Sequence, residues 1–209
     1  MEIEQKFRVE DPALFIALRE LHRLDAYMLY AQPEPERQHN IYFDTADRRI
    51  RSQGYGLRIR EIDDGRRIAT LKGAAQNEGA RFVRHEWEVE VGPDDHPSTW
   101  PASEARERTL ALLAGESPLR LLTIDTVRYH IIAMQNERRV AEISLDQGTI
   151  DAAGLREEFC ELEIELLGDG TMDDLDSLCL SLQKRFRLIP DERTKLARGL
   201  ALLQKATSA

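Results

Sequence analysis

The residues able to do chemistry lie at alternate positions in short segments. Glu2, Glu4, Lys6 and Arg8 alternate with Ile3, Gln5, Phe7 and Val9. An extended strand puts the first set on one face and the second on the other. Arg58 and Arg60 alternate with Tyr55, Leu57 and Ile59. Thr70 and Lys72 share a face. Arg84, Glu86, Glu88 and Glu90 alternate with Val83, His85, Trp87, Val89 and Val91. Glu142 and Asp146 recur within an alternating run, as do Glu161, Glu163 and Glu165, and Arg128 lies within residues 119–134. A single strand of this kind is accounted for by a charged side in water. At least six of them, sorted by charge, are not. The cations come from the middle of the chain, and most carboxylates come from the first and last strands.

The elements that must position these residues follow from pattern. Asp11-Pro12 predicts a helix start, with Leu14, Phe15, Leu18 and Leu21 as its stripe, ending near Leu24. Residues 32–35 read as a loop, 38–44 as a strand and 45–54 as a polar connection. Tyr55–Ile62 and Arg66–Lys72 form a hairpin about Asp63-Asp64-Gly65. Residues 81–91 read as one long strand, and 92–101 as a Pro-rich loop. Ser103 caps a helix with Leu110 and Leu113 inward. Residues 119–134 read as one long strand or two broken ones, and 139–146 and 159–166 as strands. Helices are expected over 172–187, with its charges matched to the helix dipole, and from about 191 to 205.

Helices must cover the apolar strand faces. The expected architecture is therefore α+β: a closed antiparallel barrel, helices outside, with its charged side turned into a lumen. Like charges crowded in a lumen call for a ligand of opposite charge or for metal ions. Arg and Lys suit phosphate oxygens, and carboxylates suit Mg²⁺ or Mn²⁺. Together they are the equipment of phosphoryl transfer.

Composition narrows the rest. The chain has 209 residues, 42% hydrophobic and 32% charged, with a formal net charge of −9. That fits one folded domain over residues 1–209 and argues against a nucleic-acid partner. No apolar run reaches membrane-spanning length and no signal peptide opens the chain, so a cytoplasmic protein is expected. Cys160 and Cys179 match no metal or redox spacing and read as free thiols. No Ser-His-Asp arrangement and no P-loop is present. Oligomeric state is not legible.

Several motifs, in order, carry a resemblance. These are Glu2-Ile3-Glu4-Gln5-Lys6, Tyr42-Phe43-Asp44-Thr45, Leu57-Arg58-Ile59-Arg60, Thr70-Leu71-Lys72 and Arg84-x-Glu86-x-Glu88. They continue with Thr126-Val127-Arg128, Glu142-x-x-x-Asp146-x-Gly148, Glu161-x-Glu163-x-Glu165 and Thr194-Lys195. Over about the whole chain this resembles the CYTH superfamily, the triphosphate tunnel metalloenzymes. The departure is Thr194, where the family more often has Ser. The resemblance implies an eight-stranded tunnel. It implies Glu2, Glu4, Glu161 and Glu163 as metal ligands, with Asp146 or Glu142 assisting. It implies Lys6, Arg58, Arg60, Lys72, Arg84, Arg128 and Lys195 as triphosphate-binding residues, the last reaching in from a helix start. Lys6, Glu4 and Glu163 are the expected catalytic set.

Other positions keep alternatives. Glu165 lies inside the lumen or just beyond it. Glu86 and Glu88 are metal-linked or orient the arginines. Tyr42 and Asp44 are expected to fix a strand end, and His85 and Trp87 to be core. The remaining histidines are expected in loops or on apolar faces, with no His-based metal site. The implied activity is metal-dependent hydrolysis of tripolyphosphate or a small organic triphosphate such as thiamine triphosphate. Adenylate cyclase, a non-catalytic polyphosphate-binding module and an RNA 5′-triphosphatase are the alternatives.

Overall fold

Alternation of apolar and charged residues becomes a wall with two faces. The computed structural model describes residues 1–208. The barrel strands are β1 (Glu2–Arg8), β2 (Glu36–Asp44), β3 (Gly56–Ile62), β4 (Arg67–Lys72), β5 (Arg81–Arg84), β6 (Glu86–Glu90), β7 (Leu119–Gln135), β8 (Arg138–Ala152) and β9 (Leu155–Leu166). The helices are α1 (Ala13–Arg19), α2 (Arg49–Ser52), α3 (Glu104–Leu113), α4 (Met172–Arg185) and α5 (Lys195–Thr207). Neighbouring strands run antiparallel in the order β5-β1-β9-β8-β7-β2-β3-β4-β6. β5 and β6 are consecutive pieces of one stretch, interrupted at His85. β5 pairs Arg84 with Glu2 on β1, and β6 pairs Glu86 with Lys72 on β4. The nine-stranded sheet thus almost closes on itself. Counting β5 and β6 as one broken strand gives the eight expected. Among the described residues no helix is long and apolar enough to cross a membrane.

Three apolar clusters hold the wall. Under α1 and α4, outward residues such as Phe7, Ile143, Leu145, Leu162 and Ile164 meet Phe15, Leu18, Leu175, Leu178 and Leu182. Under α2 and α3, Ile41, Leu57, Ile59 and Leu71 meet Ile50, Leu112 and Leu113. The third cluster lies on the lumenal side of the strands. Leu122, Ile124, Ile150 and Phe159 share parity with Arg128, Asp146 and Glu161, and they pack against Leu202 and other leucines of α5. The charged face turns apolar there, and α5 lies across it. Gly148 marks the closest approach, where a Cβ would lie 1.9 Å from the Asp125 carbonyl oxygen and 2.8 Å from the Phe159 ring.

Several expectations are corrected. α1 stops at Arg19, and the chain continues as strands Arg23–Leu24 and Tyr27–Ala31, joined by a turn at Asp25 (φ 48°). Leu24 joins the same core from a strand, so the apolar spacing had two solutions. The 45–54 connection contains α2, because Asp44 accepts from the backbone of Thr45, Ile50 and Arg51. Asp44 therefore fixes a strand end, as expected. β7, β8 and β9 extend beyond the expected segments, and β8 turns into β9 through Ala153 and Gly154, both at positive φ. The last helix starts at Lys195 rather than 191, capped by Thr194. Ile189–Pro190 pairs with β1 instead. His85 is exposed rather than core and stacks on Trp87. Ser103 caps α3 and α4 carries a capping box at Thr171.

Candidate functional site: a charged lumen

The register brings the charged residues into one cavity of about 450 Å³. One group comes from β1, β4, β5 and β6. Glu2 accepts from Lys72 Nζ at 3.0 Å and Arg84 Nε at 2.6 Å, and Arg84 also donates to Glu4 at 2.8 Å. Glu86 takes Lys72 at 2.9 Å and lies 3.6 Å from Arg58. Glu88 accepts from the buried Thr70 hydroxyl at 2.8 Å and lies 3.9 Å from Arg58. Glu86 and Glu88 thus stand as partners of the cations.

A second group joins β1, β7, β8, β9 and α5. Arg128 donates twice to Asp146, at 2.6 Å each, and to Glu163 at 2.7 Å. Lys195 Nζ sits within 2.8–2.9 Å of Asp146, Glu161 and Glu163. Lys6 lies 3.1 Å from Glu161 and 3.0 Å from Glu163. Glu161 is fully buried and lies outside the lining of the cavity, where Arg198 reaches it from α5 at 2.8 Å. Its place is beneath the two lysines. Arg8 is exposed near Glu10, past the end of the lumen.

Arg60 stands apart. Its only side-chain bond among the described residues is to Asn40, at 2.9 Å, and it makes no ion pair there. Burial, together with Arg58 and Arg128, pushes its guanidinium down to about 9. The Nε of Arg58 is also buried without a partner. Cations elsewhere in the lumen are held the other way. Burial opposes the charge on Lys6, but Glu163, Glu161 and Glu4 outweigh it and raise its pKa. Lys195 is raised well above the ordinary value, against burial, by Asp146, Glu161 and Glu163.

The carboxylates divide as well. Burial works to raise Glu2 and Glu163, but their cations hold both well below the usual range. Glu4 is raised, by burial and by the Glu163 charge. Glu165 lines the lumen, which settles its position. Burial, then the charges of Glu2 and Glu4, lift it to about 7, and it has no ion-pair partner among the described residues.

Two lumenal residues depart from expectation. Tyr42 is buried in the lining rather than only fixing a strand end. Burial would raise its phenol, but Arg58, Lys72 and Lys195 hold it below its ordinary value. His130 shares parity with Arg128 and lies in the lumen, 2.7 Å from Glu142. That parity was the available signal. Asn40 carried the same signal beside Gln38 and Tyr42, but Arg198, on a helix, had none.

The chain matches the CYTH domain over residues 1–200. It belongs to the CYTH family. Several solved structures share the CYTH fold. An adenylyl cyclase candidate from Hippeastrum, described as having a dominant triphosphatase activity, is 21% identical, with 96% of each chain covered and a TM-score of 0.74. An adenylate cyclase candidate from Bacillus halodurans is 21% identical over 93% of this chain and 95% of that one, with a TM-score of 0.59. The capping-enzyme triphosphatase of Mimivirus is 12% identical over 88% and 87%, with a TM-score of 0.51.

Among the described residues no group of three His, Cys, Asp or Glu side chains stands arranged to hold a metal ion, because cations engage most of the carboxylates. The donor chemistry nevertheless suits a hard divalent cation. Glu4 pairs across the sheet with Glu165, and Glu165 with Glu142, giving an all-oxygen row. Its charge surplus shows in the raised Glu4 and Glu165. Glu2, Glu4, Glu163 and Glu165 could hold such an ion once a polyanion draws the cations away. Glu161 is fully buried outside the cavity lining, whereas Asp146 and Glu142 line it, Asp146 engaged by Arg128 and Lys195. Cys160 and Cys179 are free thiols, pushed by burial up to about 11 and about 12.

Proposed function

We propose that this CYTH protein hydrolyses a triphosphate held in the lumen, with a divalent metal ion, and that inorganic tripolyphosphate is its preferred substrate, with small organic triphosphates such as thiamine triphosphate also accepted. The observation that carries this is Arg60. A half-buried guanidinium with no carboxylate partner among the described residues, and with the charges of Arg58 and Arg128 acting on it, is costly in the absence of an anion. A polyanion with several charges along a chain would repay that cost. The activity described for the Hippeastrum protein supports the same reading.

Arg58, Arg60 and Arg128 would take phosphate oxygens in the middle of the lumen, bidentately where the fork allows. Lys6, Lys72, Arg84 and Lys195 would exchange part of their carboxylate contacts for phosphate. Lys6 and Lys195 stay protonated because carboxylates surround them, so they act as fixed positive charge on the loose transition state and not as bases. Glu163 stays ionised and orients those lysines. Glu4, whose carboxyl is raised by burial and by the Glu163 charge, is the group that a divalent cation beside it would stabilise most. Glu2, Glu4, Glu163 and Glu165 would hold Mg²⁺ or Mn²⁺, which when bound neutralises phosphate oxygens and acidifies nearby water.

Phosphate release from tripolyphosphate, thiamine triphosphate, ATP and GTP tests this, in Mg²⁺, Mn²⁺ and EDTA, with cyclic AMP followed in parallel. Hydrolysis is expected only with metal, and Glu4→Gln is expected to lower it at least a hundredfold. Turnover that persists in EDTA sinks the metal requirement. Cyclic AMP as the main product, or tight binding without turnover in any metal, overturns the triphosphatase assignment.

A further inference from the structure

The lumen has two unlike ends. At one, β3 begins and β4 finishes beside the start of α5. A Cβ on Gly56 would lie 2.9 Å from the Leu196 side chain, and one on Gly54 3.0 Å from the Ala74 methyl. Tyr42 and Leu122 join the apolar seat of α5 there, so this end is packed. The other end lies where β2 starts at Glu36 and the β3–β4 hairpin turns beside Arg66. Glu36, Arg66, His130 and Glu142 line it. The side chains of Glu36 and Glu142 are 22% and 26% exposed, which makes this the open end. His130 stands between them, with Nδ1 2.7 Å from Glu142 and Nε2 4.0 Å from Glu36. Gln38 donates to Glu36 at 2.5 Å, and Ser144 to Glu142 at 3.3 Å. Arg66 lies 3.7 Å from Glu36, but its guanidinium also serves Asp64, at 2.7 Å. On β2, Glu36 precedes Asn40, the partner of Arg60, by four residues, about 13 Å of strand.

We propose that this collar of Glu36, His130 and Glu142 is a chain-length stop, which lets the lumen take three phosphates and turns away a fourth. The inference rests on the lumen holding a triphosphate, as proposed above, and adds the residues of this chain that set the length. A fourth phosphate cannot extend into the packed end. Towards the open end it meets two carboxylates held in place by Gln38, Ser144 and His130, and like charges brought together there repel. Burial works to raise Glu142, but His130 and then Arg128 hold it below its ordinary value, so it keeps its charge. Arg66 offsets only part of that charge, because it is shared with Asp64. Glu36, Arg66 and His130 lie outside every motif that carries the family resemblance. The stop therefore belongs to this chain and does not follow from the fold.

Calorimetric titration of linear tripolyphosphate and tetrapolyphosphate, both with Mg²⁺, tests the stop without requiring turnover. Three variants are compared with the wild type: Glu36→Gln, Arg66→Gln and, as a remote control, Glu104→Gln on α3, an exposed carboxylate. The wild type is expected to bind tripolyphosphate at least about tenfold more tightly than tetrapolyphosphate. Glu36→Gln should narrow that ratio about fivefold, with tripolyphosphate affinity kept within about twofold as proof of an intact lumen. Arg66→Gln should move the ratio the other way, and Glu104→Gln should not move it. A wild type that binds tetrapolyphosphate as tightly as tripolyphosphate overturns the stop. So does an unchanged ratio in Glu36→Gln with both ligands still bound, and either result leaves the lumen reading intact. A narrowed ratio without hydrolysis of either ligand supports the stop while the triphosphatase reading falls. If neither ligand binds the wild type, both readings fall.

Discussion

The same face of the same three strands does two different things. Along β7, β8 and β9 it carries Arg128, Asp146 and Glu163 at one level, and Ile124, Ile150 and Phe159 at another. The first level is a charge network around a cavity. The second is a dry seat for α5. The two meet at Lys195, the first residue of α5, whose ammonium is inserted among Asp146, Glu161 and Glu163 while Leu196 and Leu202 pack on the apolar side. Polarity along one face thus separates the part of the barrel that must stay open from the part that must be filled. The apolar seat supplies stability, and the charged level spends some of it on poorly paired groups.

That division can be broken at its apolar side first. Ile150 is fully buried under α5 and does not line the cavity. Ile150→Ala should cost about 2–5 kcal/mol in denaturant unfolding. The KM for tripolyphosphate should stay within about twofold. A KM that rises in step with the lost stability would show that seat and lumen act as one unit.

The charged side should behave in the opposite sense. Arg60→Met removes a half-buried charge that has no carboxylate partner among the described residues. It should leave the ligand-free protein as stable as before or raise its stability by about 1 kcal/mol. Tripolyphosphate binding should weaken about 10- to 100-fold. Loss of stability together with unchanged binding would remove Arg60 from the anion site.

The smallest expected effect is in pH. Glu165 is lifted from the ordinary value of 4.5 to about 7, so the folded protein holds this proton where the unfolded chain has lost it. Stability should therefore be highest below about 4.5 as far as this group is concerned. It should fall as pH rises towards 7 and level off above that. Glu165→Gln should flatten this window in denaturation series without added metal. An unchanged slope would mean that the lumen does not crowd its carboxylates.

Much of this was legible from alternation alone. Which residues face the lumen follows from a period of two, and so do the inverted barrel and the placing of Glu165 within reach of it. His130 was legible by the same rule, though its imidazole reads as an ordinary loop or core residue until Glu142 is seen beside it. The end of α1 was not legible, because Leu21 and Leu24 fit a helical stripe as well as they fit the turn and strand that form. The strand Tyr27–Ala31 exists because β7 runs long enough to pair with it, and no local signal reports the length of a distant partner.

Sequence by itself determined the sorting of charge to one face and apolar groups to the other, since side-chain direction in a strand depends only on local backbone geometry. Tertiary structure alone decided which carboxylate meets which cation. Register and closure bring Glu2 to Lys72, Lys195 to Asp146 and Arg198 to Glu161 although each pair comes from separate elements of the chain. Those contacts leave Arg60 without a counterion among the described residues and place Glu161 behind the lysines. They depend on distances between remote segments, and only the closed barrel sets those distances.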